Sequence, residues 1–546
     1  MKIISNKKFQ DSEEIRRVGI NFLTEGNKEK VRISDIITKE DIKLWKPQDN
    51  ILIAAPMGAG KSYFCKNVLY DFAKNTGGKI LMLIHRANCV EQFKYELEAD
   101  NKTDVIEVAT YQSLECAKLH NSNKYDLATY QFIVCDEFHY FFNDSSFNNK
   151  TIISFNMIIN DTKAIHIFMS ATGEHMTKFM KKYIEDNGLR KAIQYEVPFD
   201  FSFIEELTFF HKDITIEEFL KEGIAKGQKG IFFIQSAEKA YKLYSKYKKH
   251  CVFNCSANNK KYYQFVDKEK IKNILINQKF EEQFLITTSC FDAGINIVDL
   301  DVKHIVIDIV DIGSLIQCIG RKRIQSPDDK VYVYIKIINN QKLAGLKRTM
   351  ENKIVMANFY MDNDFSMHKL IEKYPMQNDI NNILYDDLVY DKKGRVIPNS
   401  YTKKINEPMY FKKKEDIADY SFMLKKSNKF GYCKYLALKF GFYDKETERY
   451  TYRIINEDYE LNDYLEKMVQ DKVVLLQLKD RSELIKKINA KQNGKLLKKA
   501  DTLNKVLEER GIDYRIKNFE TTRYLADQNG NKIKKKYKSA WKVIPF

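Results

Sequence analysis

The chain has 546 residues, of which 44% are hydrophobic and 30% charged, and its formal net charge is +17 at pH 7. At about 150 residues per domain, this length predicts three or four folded domains. The sequence holds no apolar run of secretory or membrane-spanning length and no CxxC pair among its nine cysteines, so we expect a cytoplasmic protein without membrane contact and with reduced structural thiols.

Short β-rich apolar runs alternate with amphipathic helical stretches from about residue 50 to 335, which is the pattern of parallel sheets with crossover helices. The runs fall into two successive sets that meet near residue 200. We therefore predict an α/β protein with an N-terminal extension at 1–45 and two parallel-sheet domains at 46–198 and 199–340. A basic, mixed α+β region is expected to follow at 341–546.

The first apolar strand runs into a glycine-containing loop and then a helix, in the stretch "ILIAAPMGAGKSYF". Glycines let backbone N–H groups close on phosphate oxygens, and the N-terminus of the following helix favours negative charge. Lys61 is placed to reach the β- and γ-phosphates and Ser62 to ligate Mg²⁺, whereas Ala55 stands where a glycine is usual. The loop predicts ATP binding by Pro56, Met57, Gly58, Ala59, Gly60, Lys61 and Ser62.

A second strand, "FIVCDEFHYF", ends in two acidic residues. Ligands of open α/β sheets collect at the carboxyl ends of the strands, where these side chains should lie. We predict that Asp136 holds Mg²⁺ and that Glu137 orients and deprotonates the attacking water. The alternative is that both residues only cap the next helix.

The motifs "APMGAGKS", "DEFH", "SAT" and "QCIGRKR" together resemble those of superfamily 2 helicases and translocases. The stretches "HRANCVEQF", "ATYQSL" and "TTSCFDAGINI" are similar to intermediate motifs of that family, and the whole set spans residues 51–324. The DExH form resembles DEAH-like DNA translocases more than DEAD-box RNA helicases, and no adenine-reading glutamine motif precedes the loop. The set is also similar to helicases of phages and mobile elements of low-GC bacteria.

The resemblance implies two tandem RecA-like P-loop domains that clamp ATP between them and hold single-stranded nucleic acid across both upper faces. Closure on ATP and opening after hydrolysis would move the strand. Several polar residues fall in motifs that touch the sugar-phosphate backbone or couple it to ATP, although each could also be an ordinary polar loop residue. These residues are His85, Arg86, Thr110, Gln112, Gln235, Ser236, Thr287 and Thr288.

The same resemblance assigns residues to the nucleotide and to its coupling with lobe movement. Ser170 and Thr172 would couple the two lobes to hydrolysis, and His139 would contact either the γ-phosphate side or the glutamine of the last motif. Gly294 and Asn296 are expected beside ATP. Asn296 stands where relatives often carry a ribose-contacting aspartate, which leaves ribose selectivity open.

In "QCIGRKRI" the usual spacing QxxGRxxR is shortened, because Ile324 occupies the place of the second arginine. On an ideal helix Arg323 lies about 200° round from Arg321, so the two share a face only if the helix ends there. We predict that Gln317 aligns the attacking water and that Arg321 reaches the γ-phosphate. Arg323 is a conditional second contact, and Lys322 should face solvent or backbone.

The last third of the chain is basic and lacks a nuclease signature. Residues 341–546 hold 43 Lys and Arg against 29 Asp and Glu, so +14 of the net charge lies there. A long helix over "RSELIKKINAKQNGKLLKKADTLNKVLEERG" and a hairpin turning at "QNGN" resemble a winged-helix module at 481–546. Tyr537 and Trp541 either stack on bases or lie in the core. The expected backbone contacts are Lys534, Lys535, Lys536 and Lys538.

The leading hypothesis is an ATP- and Mg²⁺-dependent DNA helicase or translocase that acts on single-stranded or forked DNA of a phage or mobile element. One alternative is the motor ATPase of a restriction or antiphage complex, which would need a separate nuclease or effector chain. Another is a nucleotide-gated DNA clamp that does not unwind. An RNA helicase fits less well because the adenine motif is missing, although RNA stays among the candidate partners.

Overall fold

The structure is a computed structural model of the chain. Three residues that received roles above, Met57, Thr172 and Gly294, lie outside the described residues, as does the "QNGN" turn. The structure describes residues 31–56, 58–120, 122, 124–143, 150–171, 173–190, 192–197, 200–289, 296–375, 379, 383–390, 396–425, 430–455, 457–492, 495–526 and 532–545.

The first lobe, lobe 1, is a six-stranded parallel sheet between two layers of helices. Its strands are β1 (Asn50–Ala54), β2 (Ile80–Ile84), β3 (Ile106–Thr110), β4 (Phe132–Cys135), β5 (Ile165–Ser170) and β6 (Ala192–Glu196). Its helices are α1 (Ile33–Ile36), α2 (Lys39–Lys43), α3 (Lys61–Tyr63), α4 (Tyr70–Thr76), α5 (Ala87–Ala99), α6 (Tyr111–Leu119), α7 (Tyr140–Asn143), α8 (Thr151–Ile159) and α9 (Gly173–Asp186). A π-helix (Phe64–Leu69) joins α3 to α4, and a 3-10 turn (Leu127–Thr129) precedes β4.

The strand order in lobe 1 is β3-β2-β4-β5-β1-β6, and every pairing is parallel. Strands β1, β2, β4 and β5 are buried along their whole length, as expected for strands covered on both faces. Their apolar side chains feed two hydrophobic clusters, one on each face of the sheet. The carboxyl ends of β1, β4 and β5 therefore meet at one edge.

The second lobe, lobe 2, repeats this architecture. Its strands are β7 (Ile204–Phe210), β8 (Lys229–Ile234), β9 (Cys251–Asn254), β10 (Phe284–Thr287), β11 (Val302–Asp308) and β12 (Val331–Lys336). Its helices are α10 (Asp213–Ala225), α11 (Ala237–Lys246), α12 (Lys260–Tyr263), α13 (Lys268–Asn277) and α14 (Ile312–Ile319). These strands also pair in parallel, in the order β7-β12-β11-β8-β10-β9.

An α+β region follows lobe 2. Its helices are α15 (Asn340–Asp362), α16 (Met367–Lys373), α17 (Glu407–Met423), α18 (Gly431–Lys439), α19 (Tyr459–Gln470), α20 (Ser482–Ile488) and α21 (Ala500–Glu509). Its strands are β13 (Leu384–Tyr390), β14 (Val396–Ile405), β15 (Tyr443–Asp444), β16 (Arg449–Tyr450), β17 (Arg453–Ile454), β18 (Val474–Leu475), β19 (Lys491–Gln492), β20 (Lys495–Leu496), β21 (Tyr514–Ala526) and β22 (Lys532–Pro545).

Part of this region completes lobe 2. Strand β17 pairs in parallel with β7 and becomes the seventh strand of the second sheet. Just beyond it, the Glu457 carboxylate accepts a hydrogen bond from the Lys212 backbone N–H at 2.9 Å, at the start of α10. Apolar residues of α18 lie in the same buried cluster as β7, β11 and β12. The core of lobe 2 thus includes residues that the sequence pattern assigned to a separate region beginning at 341.

Helix α17 contacts both lobes. Near its start, the Phe411 ring packs 5.5 Å from the Phe179 ring of lobe 1, measured between centroids. One turn later, the Glu415 carboxylate lies 3.5 Å from Lys178 Nζ of lobe 1. Its last residue, Met423, is buried in the core of lobe 2. The C-terminal region is therefore built into the two-lobed body and is not merely appended to it.

The last elements form a small module around a core of their own. In chain order they are α19, β18, α20, β19, β20, α21, β21 and β22, and three of the strands form an antiparallel sheet in the order β18-β22-β21. The winged-helix assignment stays a prediction. The prediction of a single long helix over residues 481–511 is wrong. It is broken into α20 and α21 because Asn489 ends α20 in the left-handed conformation, at φ +47°, and the short β19–β20 hairpin follows.

The predicted fold class is confirmed: two tandem parallel-sheet lobes of the RecA-like type, the first with the glycine-containing loop after β1, precede a mixed α+β region. The alternation of buried strands with crossover helices was sufficient to find both sheets. Among the described residues, no helix is both long and apolar enough to cross a bilayer.

Candidate nucleotide site

The loop after β1 has the geometry of a phosphate cradle. Gly58 and Gly60 have φ values of +79° and +86°, a left-handed conformation that glycine adopts without a Cβ clash. Lys61 starts the following helix, and its Nζ donates hydrogen bonds to the backbone oxygens of Ala55 at 3.0 Å and Pro56 at 3.4 Å. The ammonium group is therefore held across the loop, where phosphate oxygens would bind.

The two acidic residues lie directly after β4, beside this loop. Glu137 has a φ of +52°, unusual for a residue with a side chain, and its N–H donates to Asp136 Oδ1 at 3.0 Å. Its Oε2 lies 3.2 Å from His139 Nδ1. On the other ring nitrogen, His139 Nε2 lies 3.5 Å from Gln317 Nε2 of lobe 2. The expected contact between His139 and the last motif is therefore present and joins the two lobes.

Burial and neighbouring charges shift the pKa values of the two carboxylates in opposite directions. Burial, and then the adjacent Glu137 carboxylate, raise the pKa of Asp136. Burial would also raise the pKa of Glu137, but the hydrogen bond with His139 and the charges of Lys61 and Arg321 outweigh it and lower that pKa. Glu137 is thus held ionised, the form that accepts a proton from water.

The donor set fits Mg²⁺. The Ser62 side chain and the half-buried Asp136 carboxylate offer oxygen ligands, and a nearby dication would offset the desolvation that raises the pKa of Asp136. Among the described residues, no group of three or more His, Cys, Asp or Glu side chains could hold a metal by itself. Mg²⁺ in nucleotide sites needs no such group, because phosphates and water supply most of its ligands.

Lobe 2 brings two arginines to the same cleft because its helix ends early. Helix α14 stops at Ile319, Gly320 and Arg321 form a turn, and the backbone becomes extended at Lys322, which forms a parallel bridge with Ile297. The Arg323 N–H donates to the Ile297 carbonyl oxygen at 2.7 Å. Side chains alternate along extended backbone, so Arg321 and Arg323 point to one side. Both line the cleft, and the shortened motif therefore still delivers two arginines.

Arg323 also organises its neighbours. Its Nε donates to Asn296 Oδ1 at 2.8 Å, so the residue expected near the ribose is bound to the second arginine. Burial, and then the nearby Arg321 charge, lower the pKa of Arg323 to about 10. The two guanidinium groups thus concentrate positive charge opposite the Lys61 loop.

Of the two alternatives for Lys322, exposure to solvent is wrong, whereas contact with backbone is present, since its ammonium donates to the Arg323 backbone oxygen at 3.4 Å. The alternation that turns both arginines into the cleft turns Lys322 away from it, into the body of lobe 2. Its ammonium lies 2.5 Å from Asp329 Oδ2, and both side chains are 0% exposed. Burial lowers the pKa of Lys322, while Asp329 opposes that shift. Lys322 therefore anchors the segment that carries the two arginines.

Replacing Lys322 with alanine is expected to lower the free energy of unfolding by about 3–5 kcal/mol, because it leaves the buried Asp329 carboxylate without its main partner. Thermal denaturation measures this loss. Lys303→Ala is the matched control, since Lys303 Nζ lies 3.0 Å from the same aspartate but its side chain is 38% exposed. An equal loss of stability in both variants would show that burial does not set the cost.

The cleft between the lobes has a volume of about 400 Å³. His85 and Arg86, assigned above to nucleic acid, line it beside the phosphate loop. Sequence reasoning missed a further stripe on α5, whose i, i+3, i+4 and i+7 spacing was the available signal. This stripe consists of Cys89, Gln92, Phe93 and Glu96.

The other residues assigned to nucleic acid have varied surroundings. Thr110 and Ser236 cap helices, accepting hydrogen bonds from the backbone N–H groups of Ser113 and Lys239. The Gln235 side-chain oxygen accepts a hydrogen bond from the Val310 N–H, and Gln112 is partly exposed. Ser170, the coupling residue, is buried at the end of β5.

Two of the proposed strand contacts are not on the surface. Thr287, the last residue of β10, and Thr288 directly after it are buried, at 0% and 7% exposure. The Thr287 hydroxyl donates to the Thr288 carbonyl oxygen at 3.2 Å. This burial argues against direct contact with a strand.

The C-terminal hairpin has a buried base and an exposed far end. Tyr537 and Trp541 are buried, which decides for the core over base stacking, and the Arg481 guanidinium lies 4.3 Å from the centre of the Trp541 ring. Tyr524, which the sequence analysis did not single out, is 66% exposed. The four lysines of the expected backbone contact are all exposed: Lys534, Lys535, Lys536 and Lys538.

The sequence of residues 24–175 matches the family model described as "Type III restriction enzyme, res subunit". This match to a helicase-family domain covers most of lobe 1 and includes both the phosphate loop and the acidic pair. No curated protein matches the chain.

The chain is similar to solved helicase structures at low identity. Saccharomyces cerevisiae Dbp5 bound to RNA and ADP BeF3 is 16% identical, with a TM-score of 0.41 over 57% of this chain and 86% of that chain. The Pyrococcus furiosus Hef helicase domain is 14% identical, with a TM-score of 0.34 over 55% and 94%. The Escherichia coli DEAH/RHA helicase HrpB is 13% identical, with a TM-score of 0.37 over 54% and 41%. Such low scores carry no information about substrate.

Proposed function

We propose that this protein is an ATP-dependent DNA helicase or translocase, in which ATP hydrolysis between the two lobes drives movement along a single strand. The observation that carries the proposal is the shared cleft. Lobe 1 contributes the Lys61 loop and the acidic pair, and lobe 2 contributes Gln317 with two arginines. Among the residues that the structure describes, neither lobe holds a complete set of groups for phosphoryl transfer, so the chemistry requires both.

Each group in the cleft has a role in hydrolysis. The loop N–H groups and Lys61 would hold the β- and γ-phosphates, and Mg²⁺ bound by Ser62 and Asp136 would neutralise their charge. The ionised Glu137 would accept a proton from the attacking water, which Gln317 would align. Arg321, and Arg323 beside it, would stabilise the charge of the transferring phosphoryl group.

Lobe movement would transmit this chemistry to the strand. ATP draws the two arginines towards lobe 1, and hydrolysis releases them, so the grip of the lobes alternates. We propose that Thr110 and Gln112 of lobe 1 and Gln235 and Ser236 of lobe 2 contact the sugar-phosphate backbone. Ser170 would couple that contact to the nucleotide.

Two assays test this function. ATP turnover is measured with and without single-stranded DNA or RNA, and strand displacement is measured on forked DNA and on forked RNA. We expect turnover to rise with DNA and forked DNA to be unwound. Displacement of RNA alone would contradict the DNA assignment, and turnover that neither nucleic acid changes would contradict the motor function.

A second candidate is the motor subunit of a restriction or antiphage complex. The family description of residues 24–175 favours it. In that case the isolated chain would hydrolyse ATP on DNA without displacing a strand, and displacement or cleavage would require a separate partner chain.

The exposed end of the β21–β22 hairpin is proposed to bind the nucleic-acid backbone. Replacing Lys534, Lys535 and Lys538 together with alanine should weaken binding and flatten its salt dependence, lowering the slope of log K against log salt by about 2 if each lysine contacts one phosphate. Fluorescence anisotropy at several salt concentrations measures this slope. Because Trp541 belongs to the core of the module and Tyr537 is also buried, point changes are preferable to truncating the hairpin.

The matched control removes the same charge elsewhere. Lys248, Lys249 and Lys272 are exposed on lobe 2, the first two just before the amino end of β9 and so far from the cleft edge. Their triple alanine variant should leave the slope unchanged. An equal slope in both triple variants would show that the hairpin lysines are solvated surface residues that do not contact phosphates.

A further inference from the structure

A buried tyrosine holds the peptide group between the two acidic residues of the cleft. Tyr111 is 0% exposed, and its hydroxyl donates to the backbone oxygen of Asp136 at 2.8 Å. That oxygen belongs to the peptide bond that joins Asp136 to Glu137, whose φ is +52°. The backbone conformation of Glu137 is sparsely populated and strained, so it needs support from its surroundings. The hydrogen bond to this peptide provides that support and thereby helps to fix the direction of the Glu137 side chain.

A second tyrosine clamps the other end of the same turn. Tyr140 stacks on Tyr111, with ring centroids 4.5 Å apart and an angle of 8° between the rings. Its hydroxyl donates to Glu115 Oε1 at 2.7 Å, and Ser154 donates to the same oxygen at 2.7 Å. Since Glu115 lies one turn after Tyr111 on α6, one helix holds the acidic turn at both of its ends.

The start of this helix is also the proposed strand contact. Tyr111 lies between Thr110, whose hydroxyl caps α6, and Gln112, which is partly exposed. Because the three residues are consecutive on a rigid helix start, a shift of Thr110 and Gln112 towards a bound strand moves the Tyr111 hydroxyl as well. In a close-packed interior such shifts are transmitted and not absorbed.

We propose that Tyr111 is a positioning residue that transmits strand binding at α6 to the Asp136–Glu137 peptide and thereby sets how strongly nucleic acid stimulates hydrolysis. This inference rests on the proposed function and deepens it. Tyr111 touches neither nucleotide nor strand, and it acts through the orientation of Glu137.

The test is Tyr111→Phe, which removes one oxygen and keeps the ring that stacks on Tyr140. The kcat for ATP is measured without and with saturating single-stranded DNA, together with the KM for ATP, the Kd for DNA and the melting temperature. We expect the ratio of stimulated to basal kcat to fall about fivefold or more, with the Kd for DNA unchanged.

The matched control is Tyr130→Phe. Tyr130 is also a buried tyrosine of lobe 1, and its hydroxyl donates to Glu107 at 2.6 Å, but it precedes the amino end of β4, away from the cleft. Its stimulation ratio should equal that of the wild type. A similar fall in both variants would mean that the loss of any buried hydroxyl is the cause, and the inference would be wrong.

The remaining outcomes separate this inference from the proposed function. If the wild type is stimulated and Tyr111→Phe is stimulated equally, transmission through Tyr111 is wrong while the motor function stands. A weakened Kd with an unchanged ratio would make Tyr111 a determinant of binding and overturn its role in transmission. If neither DNA nor RNA stimulates the wild type, the proposed function fails and this inference fails with it.

Discussion

Glu137→Gln is expected to abolish nucleic-acid-stimulated ATP hydrolysis, lowering kcat by about 10²–10⁴-fold, because the amide cannot accept the proton of the attacking water. The surroundings of Glu137, which lower its pKa and favour the carboxylate form, support this expectation. His139 contacts its carboxylate, and the charges of Lys61 and Arg321 lower its pKa. The change keeps the size of the side chain, so ATP binding should persist, as measured with a fluorescent nucleotide.

A control separates this effect from a general loss of charge. Glu98 is an exposed glutamate on α5, outside the cleft, and Glu98→Gln should retain full turnover. Hydrolysis by Glu137→Gln at the wild-type rate would show that another group is the base. A simultaneous loss of nucleotide binding would instead point to damage of the phosphate loop.

Arg321→Ala is expected to lower kcat by about 10³-fold or more, since an arginine that stabilises the transferring phosphoryl group contributes on that scale. Its side chain is only 6% exposed, and it lines the cleft with the acidic pair of the other lobe. A steady-state ATPase assay at saturating nucleotide and nucleic acid measures the effect.

Arg323→Ala should also lower kcat, but by less, because one N–H group of the Arg323 guanidinium already donates to Asn296. Arg348→Ala provides the matched control, as Arg348 is an exposed arginine of α15. Full activity of Arg323→Ala would limit that residue to a structural role. Full activity of Arg321→Ala would refute the assignment of Arg321 as the arginine that stabilises the transferring phosphoryl group.

The chemistry of the cleft could be predicted because it rests on local patterns. Two glycines in a left-handed loop, a lysine at a helix start and two acids after a buried strand each express a local backbone requirement. Their meeting at one sheet edge follows from parallel strands alone. The roles assigned to Lys61, Asp136 and Glu137 stay predictions, but their placement together needed no knowledge of distant contacts.

The segment after Gln317 could not be predicted in the same way. A helical pattern put Arg321 and Arg323 on different faces, and only the end of α14 and the pairing of Arg323 with Ile297 reversed this result. The burial of Lys322 depends on Asp329, which follows a loop. Helix ends and loop returns depend on tertiary contacts, which a periodicity argument does not contain.

The sequence by itself determined two parallel sheets, a phosphate loop and an acidic pair, since strand burial and glycine conformation are encoded within a few neighbouring residues. Only the tertiary structure decided that α17 spans both lobes, that β17 completes the second sheet and that Tyr111 holds the Asp136 carbonyl. The physical reason is sequence separation. These contacts join residues from 25 to more than 200 positions apart, and side-chain packing in the folded state, not local propensity, selects them.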